Sequence, residues 1–178
     1  MLRRKSFFHA FYVVRGILER TASYKTMIRR ENMKNFKQEL PENFNELKKS
    51  INRTANWEER LQAVKELSAY KTDETIKMLQ YTAKADLVTK VREAAAKALK
   101  AMGENVPAYE APKGDLIKDV KKVFVRVKKS LPADHTVEDF KVKLGKMRSD
   151  IYNTYEGEMG TKFDAWVEEL WAKTATRK

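Results

Sequence analysis

The sequence predicts an all-α protein. Three observations carry that expectation: the scarcity of helix-breaking residues, apolar side chains recurring at spacings of three and four, and capping residues standing just ahead of those runs. Only six glycines and four prolines occur in 178 residues, too few for the many tight turns of a sandwich or barrel. Hydrophobic residues at 42% and charged residues at 35% suit a soluble, charge-rich globular chain.

The elements follow in order. Pro41 suits a first helical turn, and Leu40, Phe44, Leu47 and Ile51 then recur at helical spacing, which predicts a helix over roughly 41–53. Asn56, with Glu59 three residues on, has the spacing of a capping box for a second helix striped by Trp57, Leu61, Val64 and Leu67. Thr72 and the acids Asp73 and Glu74 open a third, with Ile76, Leu79 and Ala83 inside. Asp86 is expected to open a fourth, carrying Val91, Ala95, Ala98, Leu99 and Met102 and stopped by Gly103.

Two of these helices look alike. A shift of 32 residues lays Arg60 on Arg92, Ala63 on Ala95, Val64 on Ala96 and Leu67 on Leu99, an Arg-x-x-Ala-hydrophobic-x-x-Leu spacing shared by both. A period in the low thirties predicts stacked helical pairs. The segment 86–103, with Asp86 before the helix, then Val91-Arg92, an alanine run, Leu99 and Gly103, resembles the short bacterial form of the HEAT repeat family. The 56–69 segment is similar but has Glu59 where that motif prefers Val. The resemblance covers about residues 41–105 and implies a repeat array that serves as a protein-binding scaffold. Two repeats are fewer than such arrays need, so something else has to cover the open end.

Val106 to Gly114 contains two prolines and a glycine and reads as a linker, 106–114. Beyond it, a helix starting at Asp115 places Val120, Val123, Phe124 and Val127 on one side and lysines on the other. Thr136 and Asp139 can cap one longer helix with Phe140, Leu144, Met147, Ile151 and Tyr155. Thr161 opens the last, with Phe163, Trp166, Val167, Leu170 and Trp171 apolar. Residues 115–178 thus form an expected three-helix bundle that caps the repeat region, 33–105.

Charge and composition narrow the function. The net charge is +12, and half of it, +6, falls in residues 1–32. There Arg3, Arg4 and Lys5 precede an eight-residue apolar run, 7–14, far too short to span a bilayer. Contact of residues 1–18 with a membrane surface is the disfavoured reading. Arg29-Arg30-Glu31-Asn32 before Met33 has a spelling that a purine-rich ribosome-binding site would give when read in frame, so 1–32 is read as a doubtful extension from a misplaced start.

The absence of cysteine excludes disulfides and thiolate metal sites and fits a bacterial cytoplasm. Two histidines, His9 and His135, leave no histidine metal site, and no phosphate loop or nucleophile elbow occurs. No cofactor, metal or catalytic residue is expected. His135 reads as a surface turn residue, and the three tryptophans read as core. The expectation is a non-catalytic interaction scaffold whose partner is a protein, bound along the groove of helices 56–103 with Arg60, Lys65, Arg92 and Lys97 at its rim. The alternative is sequence-independent nucleic-acid binding through Lys118, Lys121, Lys122, Arg126 and Lys129.

Overall fold

The computed structural model describes residues 36–174, and these residues are helical, with one isolated parallel bridge between Lys37 and Tyr70 and no strand. The expectations for residues 1–32 lie outside them. No helix among the described residues is long and apolar enough to cross a membrane.

The first half contains α1 (Phe44–Ile51), α2 (Trp57–Leu67), α3 (Asp73–Ala85) and α4 (Thr89–Met102). Helix α1 is shorter than expected, because buried Pro41 sits ahead of it in a turn whose carbonyl accepts the Phe44 N–H at 3.0 Å. Asn56 caps α2 by accepting the Glu59 N–H at 3.0 Å, but the Glu59 carboxylate turns away to Ser50 and Arg53, so the reciprocal half of the box is missing. Thr72 caps α3. Asp86 does not open α4 directly; the helix begins at Thr89, and the Asp86 carboxylate accepts the Val88 N–H at 2.8 Å. Gly103 ends it in the left-handed region, at φ 76°, where a glycine costs least.

Helix α1 packs on α2, α3 on α4, and α2 on α4. Both α2 and α4 bury alanines in the shared core. Ala63 and Ala95 are 1% and 0% exposed, and side chains this small let two helices approach closely. Leu67, Leu79, Val91 and Leu99 fill the remaining core.

The second half differs from expectation in three places. The basic helix α5 (Val120–Lys129) starts five residues late, because Leu116 and Ile117 fold under the bundle and Asp119 takes a left-handed φ of 62°. The single long helix is two, α6 (Val137–Met147) and α7 (Ser149–Met159), broken where Arg148 leaves helical geometry at φ −145° and grips Asp150 through two hydrogen bonds of 2.9 and 2.8 Å. A helix-initiating Ser149-Asp150 pair therefore overrides continuous apolar spacing. The last helix, α8 (Phe163–Lys173), begins after a 3-10 turn over Gly160–Lys162. Four helices, rather than three, surround a core of Phe124, Phe140, Leu144, Ile151, Tyr155 and Phe163.

The break at Arg148 aims α7 at the first half, where it meets both α2 and α4. Gly157 is buried there, and a Cβ at this position would lie 2.7 Å from the Trp57 ring, so only glycine permits the approach. The segment between the halves is pinned as well. Glu110 donates its N–H to Lys84 at 3.1 Å, and the Tyr109 ring lies under the Arg92 guanidinium at 3.7 Å.

Candidate interaction surfaces

Arg60 and Arg92, expected at a binding rim, face inward instead. Arg60 is 5% exposed and uses four of its five N–H donors: it donates to Asp86 at 2.8 and 3.3 Å and to the carbonyls of Arg53 and Thr54 at 2.9 and 3.3 Å. Stripping a guanidinium of water is costly, and this closed set of acceptors offsets the cost. Arg92 repeats the arrangement one block on. It donates to the Asp86 carbonyl at 2.8 Å, six residues back as Thr54 is from Arg60, and to the Thr89 hydroxyl.

The carboxylate facing Arg92 comes from α7. Glu158 lies 3.9 Å from the guanidinium and accepts both the Thr89 N–H at 2.6 Å and the Thr89 hydroxyl at 2.8 Å. Helix α4 has no side-chain cap of its own at Val88, so Glu158 places negative charge on its uncovered N-terminus. Asp86 joins the first block to the second, and Glu158 joins the second to α7. The equal spacing of the arginines was legible in the sequence; their burial was not, because nothing there announced a carboxylate from residue 158.

Lys65 and Lys97 do reach solvent, at matched positions on neighbouring helices, and neither ammonium pairs with any described residue. They remain the exposed part of the expected rim. On the other surface, α5 carries five basic and no acidic residues. Lys118, Lys121, Arg126 and Lys129 are exposed and unpaired among the described residues, whereas Lys122 pairs with Asp119 at 2.9 Å. Lys118 stands in the turn before α5. Lys128 turns inward, capping the end of α8 through the carbonyls of Trp171 and Thr174.

Three further titratable side chains, His135, Tyr155 and Lys141, are engaged within the second half. His135 has a partner that its sequence neighbours did not reveal: its Nε2 accepts the Trp171 Nε1–H at 3.0 Å, and its Nδ1 lies 2.6 Å from the Pro132 carbonyl, which fixes the proton on Nδ1. Trp166 stacks on Tyr155 with centroids 4.3 Å apart, and burial pushes the Tyr155 hydroxyl up from its ordinary range. Lys141 is held well above the usual lysine range by Asp164 and then Glu138, each 2.8 Å away. Among the described residues no three acidic or histidine side chains converge as metal ligands would. Comparison with protein-family models, with curated proteins and with solved structures finds no match to this chain.

Proposed function

We propose that the protein is a non-catalytic interaction scaffold of the cytoplasm. In this reading α1–α4 are a short HEAT-like array and α5–α8 are its cap. The observation that carries it is the repeated arginine arrangement: Arg60 and Arg92 each donate to a carbonyl six residues back and face a carboxylate from the next layer. An end layer that supplies Glu158 closes the stack, as a capping unit must. What is left for a partner is the exposed side of α2 and α4, where Lys65 and Lys97 reach solvent.

Affinity capture on the immobilised full chain tests the reading. A specific protein retained by the wild type and lost from a Lys65→Glu/Lys97→Glu chain is the expected result; retention indifferent to both substitutions overturns it. The exposed cations Lys118, Lys121, Arg126 and Lys129, unpaired among the described residues, support a second reading, sequence-independent binding of nucleic acid. It predicts retention on single-stranded homopolymers that weakens with salt and disappears when Lys118, Lys121, Lys122, Arg126 and Lys129 become Gln.

A further inference from the structure

A half-open cleft of about 260 Å³ lies where the C-terminal ends of α1 and α3 meet α7. Its floor is the Arg60–Asp86 pair, whose charges cancel, and Asp86 is the one acidic residue bordering it among the described residues. Ile51 and Leu87 give it an apolar wall. Tyr81 stands at the rim, 68% exposed, the most exposed of the large apolar side chains among the described residues. Thr154 reaches in from α7. It is 3% exposed, and its hydroxyl bonds to no described residue, yet no fully buried side-chain polar atom in the described protein lacks a partner. The Thr154 hydroxyl therefore opens into the cleft.

The rim is basic. Lys77 and Lys84 lie one turn before and after Tyr81 on the exposed face of α3, and Lys48 lies one turn before Asn52 on α1. The ammonium groups of Lys48 and Lys77 have no partner among the described residues, while Lys84 shares Glu110, itself exposed, at 3.1 Å. A partly apolar slot with one open hydroxyl, flanked on α1 and α3 by Lys48 and Lys77, which are unpaired among the described residues, favours one kind of occupant.

We propose that this cleft receives an aromatic side chain from an acidic segment of a partner protein. The ring packs against Ile51, Leu87 and Tyr81, a tyrosine O–H reaches the Thr154 hydroxyl, and flanking carboxylates meet Lys48, Lys77 and Lys84. The inference rests on the scaffold reading in supposing a protein partner, and it adds an anchoring point away from the α2/α4 surface.

The test uses the folded full chain and a fluorescein-labelled peptide, Asp-Glu-Asp-Tyr-Glu-Asp, followed by anisotropy at low salt. Saturable binding is expected, about tenfold weaker or more for the peptide with alanine in place of tyrosine and for the Tyr81→Ala chain. Thr154→Val, which keeps shape and packing, should weaken it about threefold or more. Circular dichroism checks that both variants are folded. Absence of binding, or binding unmoved by the alanine peptide and by both chain variants, overturns the proposal. Failure here with Lys65- and Lys97-dependent capture intact sinks the cleft alone; the converse sinks the α2/α4 surface and leaves the cleft standing.

Discussion

The two halves of the molecule solve the same packing problem with different materials. In α1–α4 the buried set is aliphatic, with Ala63, Ala83, Ala95 and Ala98 among the leucines and valines. In α5–α8 the described core holds no buried alanine and is built on Phe124, Phe140, Tyr155 and Phe163, with Trp166 packed against them. Small side chains allow a close, repeatable approach between helices, so the same residue spacing can be used twice. Rings fill the irregular space left when helices meet without a repeat. The ties between helices differ as well: the buried Arg60–Asp86 pair in the first half, and edge-to-face ring contacts such as Phe124 to Trp166 at 5.4 Å beside the Trp171–His135 hydrogen bond in the second.

Substitutions can sharpen that contrast. The aromatic half should be most sensitive to lost volume, so Phe140→Ala is expected to destabilise by about 3–5 kcal/mol in urea unfolding. A loss under about 1 kcal/mol would mean that the ring core is loose. Asp86→Ala strands a buried guanidinium and should cost about 3–5 kcal/mol, whereas the double change Arg60→Met/Asp86→Leu should cost much less than that single change. Additive losses would show that the pair is not a closed unit. The alanine half should instead resent added volume: Ala95→Leu is expected to cost about 1–3 kcal/mol by forcing α2 and α4 apart.

The smallest effect concerns the capping box of α6, present in both directions. Thr136→Ala should cost about 1 kcal/mol. Hydrogen bonds from the Thr136 N–H and hydroxyl hold the Asp139 carboxyl below the ordinary aspartate range. A native value below the unfolded one gives a contribution complete above the unfolded aspartate range and lost as pH falls through the native value. The stability gap between wild type and Asp139→Ala should therefore close on acidification; a gap constant with pH contradicts the box.

Much of this architecture was legible because helix signals are local. Thr72 and Thr136 cap where their spacing said they would, Gly103 stops its helix, and the matched alanines Ala63 and Ala95 are both buried in one core. What was not legible depended on distant residues. The start of α5 moved because Leu116 and Ile117 had a core to fold into, and apolar spacing ran straight through Arg148 because periodicity does not register a backbone break. The rim lost Arg60 and Arg92 for the same reason: charge in a sequence reads as exposure until a partner such as Asp86 or Glu158 is in place. Thr154 and Tyr81 drew no notice, since a cleft formed by α1, α3 and α7 has no signature in any one of them.

The claim on which the rest turns is that α7 stands where a further layer would, with Glu158 serving α4. Amide hydrogen exchange at Thr89 reads it directly. The Thr89 N–H should be strongly protected in the wild type and lose about tenfold or more of that protection in Glu158→Ala, while the Val88 N–H, held by Asp86, changes little. A Thr89 amide that exchanges freely in the wild type, or that is untouched by the substitution, would contradict the account.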